Sequence, residues 1–325
     1  MAPIKLTITT QLYIKSKVFQ RKPPHLTIFF NIVRLPVDRV HREKTMGKIF
    51  SPDEVRERKI PRMQSFADVV SYATDSFREA HAVCHAILLG SCVTSTYDFR
   101  SDVDGIYIYD SEGWIGVKQI VAEIVRFAKE RHVPFAFAPV SLEFASTEFH
   151  SIGYGFYEHM KYAIRKGGVI KGDPVKALSL AHSSRETDLV SYLRQKIRSI
   201  DEGMDRRYVL EDEYAYLDRV LRTSVHVARR MILWSGVGLF PDDSKVSVGK
   251  IYPGVASDFS KNLFHDLQML DLEYSEALKK QLEGGYNEGV YRASIKKLWD
   301  EAVPQTLAFV EENARIVLSA KSNRS

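Results

Sequence analysis

Leu88-Leu89-Gly90-Ser91-Cys92-Val93-Thr94-Ser95-Thr96-Tyr97-Asp98-Phe99-Arg100-Ser101-Asp102-Val103-Asp104-Gly105-Ile106-Tyr107-Ile108 is the stretch that decides how this chain is read. An apolar run is followed by a small-residue turn, and eleven residues past Ser91 two aspartates open a second apolar run. Side chains two apart on a strand point the same way, so Asp102 and Asp104 are expected to stand together at a sheet edge. Two carboxylates so placed repel one another unless a cation relieves them, which points to divalent metal. A bare Asp-x-Asp is common in solvated turns; here the flanking elements give it weight. Ala86-Ile87-Leu88-Leu89 reads as a buried strand, Gly90-Ser91 as a tight turn into a short helix over 90–98, and Ile106-Tyr107-Ile108-Tyr109 as the rest of the aspartate-bearing strand. A helix start also offers unpaired backbone N–H groups to phosphate.

Gly90-Ser91, then Thr94 and Thr96, then Ser101-Asp102-Val103-Asp104 resemble the signature of the nucleotidyltransferase superfamily, which includes DNA polymerase beta, poly(A) polymerases and aminoglycoside nucleotidyltransferases. The likeness covers about residues 64–174. Many members carry Gly just before the Thr that aligns with Thr96, whereas this chain has Ser95, a departure that predicts a less tight turn. The resemblance implies transfer of a nucleoside monophosphate, AMP from ATP being favoured, to an acceptor hydroxyl. Two Mg²⁺ ions would serve, with Mn²⁺ as a substitute. Asp102, Asp104 and Glu143 would be the catalytic metal ligands, and Gly90, Ser91, Thr96, Arg100 and Ser101 would contact the nucleotide. A small-molecule acceptor is favoured; an RNA end or a protein side chain, as in toxin–antitoxin systems, is the alternative, and a non-catalytic nucleotide- or partner-binding member is another.

Family members usually supply the third carboxylate from a later strand. Val140, Leu142 and Phe144 alternate with Ser141, Glu143 and Ala145, so a strand over 139–145 turns Glu143 away from its apolar side. Glu143 would then join the aspartates and could double as the base. An exposed edge-strand Glu is the competing reading, and Glu148 is the next candidate.

A chain of 325 residues, 45% hydrophobic and 27% charged, has room for two soluble domains. The formal charge of +5 is uneven. Residues 1–45 hold nine Lys or Arg against Asp38 and Glu43, leaving the remainder slightly acidic, so the basic character is no nucleic-acid footprint of the whole protein. That leader has no sustained apolar run of the signal-peptide kind. It is read as a poorly ordered extension or an over-long start, with Met46 as the real first residue. Cys84 and Cys92 indicate no disulfide framework, which makes a cytoplasmic location the expectation; Cys92 reads as a small buried thiol. No uninterrupted apolar stretch reaches the roughly 18 residues a membrane helix needs, so no membrane partner is expected.

The fold expected is an α+β nucleotidyltransferase domain over 46–174, a small mixed sheet backed by helices, followed by an all-α helical bundle over 175–325. Helical periods run at about 186–201, 209–235, 256–282 and 287–318, the pattern of an antiparallel bundle. In the second of these, Leu217, Val220, Leu221, Val225, Ala228, Met231 and Ile232 share one face; Arg219, Arg222, Thr223, His226 and Arg230 share the other. The polar face is either solvated or lines a cleft where it would contact phosphate or acceptor. Arg219 and His226 also fit a loose Arg-to-His spacing found in helical ribonuclease toxins.

Overall fold

The computed structural model of the protein describes residues 47–322, apart from residues 146, 148–151, 211 and 238–244. Expectations for residues 1–46 and for Glu148 lie outside the described residues. The described residues belong to one compact unit.

Ser51 opens α1 (Pro52–Arg56) with a reciprocal cap: its side chain accepts from the Glu54 N–H, and the Glu54 carboxylate accepts from the Ser51 N–H. In α2 (Met63–Glu79), Phe66, Val69, Ala73 and Phe77 recur three and four apart and are all buried. Then come β1 (Val83–Leu89), the single turn α3 (Ser91–Thr94), β2 (Val103–Tyr109), α4 (Trp114–Glu130), β3 (Phe135–Ser141), α5 (Tyr154–Arg165), β4 (Val169–Lys171) and α6 (Pro174–Ala177). The four strands form one sheet in the order β3-β2-β1-β4. β1 runs antiparallel to β2 and β4, with Leu89 opposite Asp104 and Ile87 opposite Val169. β2 and β3 are parallel, from Val103 beside Phe135 to Tyr109 beside Ser141.

Both faces of the sheet are covered. Val103, Tyr107 and Phe137 pack with Phe66, Val69 and Phe77 of α2 and Ile124 of α4. Leu89, Ile106, Ile108 and Val140 pack with Met160 and Ala163 of α5. A mixed sheet backed by helices is therefore present, with two differences from the sequence reading. The third strand begins at Phe135 and ends at Ser141, four residues earlier than expected, with Pro139 on the edge strand, where its missing N–H is tolerated. Val169–Lys171, between Gly168 and Gly172, forms a short fourth strand for which the sequence reading had no counterpart.

The rest is helical: α7 (Arg185–Asp205), α8 (Glu213–Trp234), α9 (Lys245–Ile251), α10 (Asp258–Gly284), α11 (Glu288–Lys297) and α12 (Val303–Ser322). The last expected helix is two, joined by a π-helical turn at Leu298–Ala302. Pro304 accounts for the break, since it has no N–H to donate back into the preceding turn. α8 forms the centre of the helical core, and every apolar position of its expected face is buried. Ile49, Phe50 and Val55, upstream of the sheet in sequence, are buried in this helical core.

Candidate active site

Gly90 leaves β1 with φ +68° and ψ −153°, a combination essentially confined to glycine. A Cβ placed there would lie 3.6 Å from Asp104 Oδ2. The backbone thus passes directly against the carboxylate. Strand alternation puts Asp104 in the row of Ile106 and Ile108, on the side of the sheet covered by α5. From that helix His159 reaches the turn, its Nε2 accepting the Gly90 N–H at 3.2 Å. One of the two amides expected to cradle phosphate is therefore engaged by a histidine that sequence reasoning missed. The signal was available: His159 is three residues past Phe156 and four before Ala163, which lie on the sheet-packing side of the helix.

The rest of the loop is held by its own side chains. Ser95 takes the left-handed conformation, φ +56° and ψ 27°. The turn is thus as tight as a glycine would make it, and the looser turn expected from the Ser is not found. The Thr94 and Thr96 hydroxyls are 2.8 Å apart, and Thr96 is exposed. Asp98 N–H donates to Ser101 Oγ at 2.9 Å, and Arg100 N–H to Asp98 Oδ1 at 2.8 Å. Ser101 is thereby a buried turn-closing residue, not an open nucleotide contact.

Arg100 requires a larger correction. Read as a nucleotide contact, it is instead 1% exposed. Its guanidinium donates to Gly47 O at 2.9 Å, Lys48 O at 3.1 Å, Asp271 Oδ1 at 2.6 Å and Ser275 Oγ, and it lies 4.9 Å from the Tyr274 ring. All three guanidinium nitrogens are engaged inside the fold, where burial is outweighed by Asp271 together with Tyr274 and Asp98, which keep the guanidinium charged.

Asp102, just before β2, borders a cleft of about 1220 Å³ that Lys48, Lys129, Tyr214, Asp218 and Arg222 also line. Arg222 of α8 donates one arm of its fork to Asp102 Oδ2 and the other to Asp218 Oδ1, the latter at 2.7 Å. Its pKa is raised, with the attraction of Asp102 and Asp218 outweighing burial. Burial, and then the charges of Asp102 and Asp104, push the neighbouring Cys92 thiol up to about 12, which makes it inert as a nucleophile at neutral pH.

Glu143 does not join the aspartates. β3 has ended at Ser141, and Leu142 N–H donates to Tyr109 O, so Glu143 sits in an exposed turn at the far end of β2. Five residues separate Asp104 from Tyr109, about 16 Å of strand. The residue beside Asp104 on β3 is Ala136, which offers no ligand. Among the described residues, no group of three or more His, Cys, Asp or Glu side chains is placed to hold a metal ion. A two-ion site completed by Glu143 therefore does not fit. A single Mg²⁺ or Mn²⁺ would ask less of the protein, because such an ion uses one or two carboxylates and takes its remaining oxygens from water and substrate phosphate.

The polar face of α8 is turned to the sheet and to α7, not simply solvated. Arg222 meets Asp102, and Thr223 is buried with its hydroxyl donating to Arg219 O at 2.8 Å. His226 lies edge-on to Tyr192, ring centroids 6.4 Å apart. Arg230 Nε is 3.1 Å from Asp188 Oδ2, which also accepts the Gly155 N–H at the start of α5. Arg219 is exposed, and about 10 Å of helix separates it from His226.

No protein-family model matches this sequence, and no curated protein matches it.

Proposed function

We propose that the protein transfers a nucleoside monophosphate from a nucleoside triphosphate, ATP being the favoured donor, to an acceptor hydroxyl. The observation that carries this reading is the glycine-only turn at Gly90 packed against the Asp104 carboxylate, with Asp102 two residues away at the mouth of a cleft. In such a transfer the acceptor oxygen forms a new bond to the α-phosphorus, the bond to the bridging oxygen breaks to release pyrophosphate, and the hydroxyl proton passes to solvent water. Asp102 and Asp104 would hold Mg²⁺, or Mn²⁺ in its place, against the triphosphate oxygens. The ion would neutralise phosphate charge and make the hydroxyl easier to deprotonate. Ser91 and Thr96 would contact phosphate from the turn, and His159, on the Gly90 N–H, would keep that turn in place. Arg222 supplies a positive charge that can pass between Asp102 and phosphate.

A second reading, a member that binds nucleotide without transfer, is favoured by one observation: Ala136 stands beside Asp104 where a third carboxylate would otherwise enter the site. Incubation with α-labelled ATP, Mg²⁺ and a cell extract separates the two. The transfer reading expects label on an acceptor, lost by at least a hundredfold in Asp102→Asn and in Asp104→Asn and unchanged in Glu143→Gln. ATP binding without label transfer would leave the binding reading standing.

A further inference from the structure

We propose that His132 takes the proton of the acceptor hydroxyl on its way to water. With Glu143 at the far end of β2, the transfer reading lacks a base, and the cleft beside Asp102 is where an acceptor and its base would meet. Most titratable side chains on that wall are already engaged. Asp102 and Asp218 share Arg222, Glu54 accepts from Lys48 and from the Ser51 N–H, Asp212 caps α8 on the Ala215 N–H, and Glu213 shares a hydrogen bond with Tyr214. Lys59, Lys129 and Arg207, the other charges lining the cleft, are cations with no room for a further proton. His159 is committed to the Gly90 N–H. His132 also lines the cleft, and its exposed imidazole makes no hydrogen bond or ion pair among the described residues.

The backbone puts this side chain there. α4 ends in a left-handed cap: the His132 N–H donates to Lys129 O and the Val133 N–H to Ala128 O, both at 3.0 Å, and His132 itself takes φ +59°. Helices ordinarily fill that position with glycine, so the histidine is carried at a backbone cost of the kind that gathers at functional sites. Two residues on, Pro134 O accepts the Val103 N–H at 2.8 Å, and β3 then runs beside β2. The cap thus abuts the point where Asp102 leads into its strand. The inference rests on the transfer reading and deepens it by naming the base. As the acceptor oxygen closes on the α-phosphorus its O–H bond breaks, the electron pair stays on that oxygen, and the proton moves to an imidazole nitrogen. The exposed imidazolium then releases it to water.

The test uses the full chain with α-labelled ATP, Mg²⁺ and a cell extract, comparing wild type with His132→Asn, which tolerates the left-handed backbone, and with His132→Gly, which leaves room for free imidazole. Initial rates of label transfer are followed against pH, with and without added imidazole, and ATP affinity is measured by calorimetry on the purified proteins. Both variants should transfer label about a hundredfold more slowly, the scale of a lost general base, with ATP affinity unchanged. The wild-type rate should fall as acid protonates the imidazole, and that fall should be missing from both variants. Added imidazole should raise the rate of His132→Gly and leave wild type as it was. A wild-type rate in either variant overturns the proposal, as does a loss that free imidazole does not relieve in His132→Gly or one that follows ATP affinity, since these mark a structural or binding role. Label transfer that survives in both variants but disappears in Asp102→Asn sinks this inference alone. No transfer by wild type sinks the transfer reading, and the proton step with it.

Discussion

Two backbone positions show how single residues shape the turn. Gly90 holds a conformation that a side chain resists and also lies against Asp104, so Gly90→Ala should cost about 1–3 kcal/mol of stability, read from denaturant midpoints at constant slope. Ser95 shows the opposite case. A left-handed serine carries a steric cost that glycine lacks, partly offset by the greater freedom of glycine in the unfolded chain. Ser95→Gly should therefore raise stability by about 0.5–1 kcal/mol. A lower melting temperature in that variant would mean that the Ser side chain holds the turn in some other way. A serine seldom takes the left-handed conformation, so the turn at Ser95 could not be read from the sequence.

At the level of elements, the long helices were legible because each carries its own period and the first two strands because each is an apolar run, β2 to the residue; the helix expected over 90–98 is only the turn Ser91–Thr94, and α9 (Lys245–Ile251) went unread. The third strand was not legible either. Alternation through Val140, Leu142 and Phe144 looks like a strand, but pairing to β2 from Phe135 onward sets where it starts, and the chain turns once Ser141 has met Tyr109. A register fixed by a neighbouring strand leaves little trace in the sequence of either, and with it went the placement of Glu143. The three residues of β4 were too short to show a period. The face of α8 was readable as polar, but not the partners it meets. Arg222, bridging Asp102 and Asp218, occupies one of the two carboxylates where a cation would bind. Removing it by Arg222→Gln should tighten Mn²⁺ binding to the nucleotide-free protein about tenfold, followed by electron paramagnetic resonance. Equal Mn²⁺ affinity in the two proteins would show that the guanidinium does not compete for Asp102.

Across the whole molecule, the loop that carries the aspartates is fastened to the helical core through Arg100 and Asp271, a pair only 1% and 2% exposed. Breaking it from one side strands a buried charge, so Asp271→Ala should destabilise by about 3–5 kcal/mol. Replacing both residues, Arg100→Met with Asp271→Leu, should recover much of that loss in thermal unfolding. A double variant no more stable than the single would mean that Ser275 and the Gly47 and Lys48 carbonyls contribute more than the ion pair. Among the described residues, no helix is long and apolar enough to cross a membrane.

The segment upstream of the sheet has its own consequence for the order in which the chain assembles. Phe50 N–H donates to Tyr274 Oη at 2.9 Å, Tyr291 Oη donates to Phe50 O at 2.7 Å, and the second partner lies 241 residues further along. All four strands are encoded between Val83 and Lys171, so the ribosome delivers a complete sheet long before it delivers either tyrosine. At about 5–20 residues per second, Phe50 waits roughly ten to fifty seconds after its own synthesis. During that interval the core that Ile49, Phe50 and Val55 enter lacks the part supplied by α10, α11 and α12. Closure of the helical half, and with it the fastening of the aspartate loop, is thus one of the last events in the making of this protein.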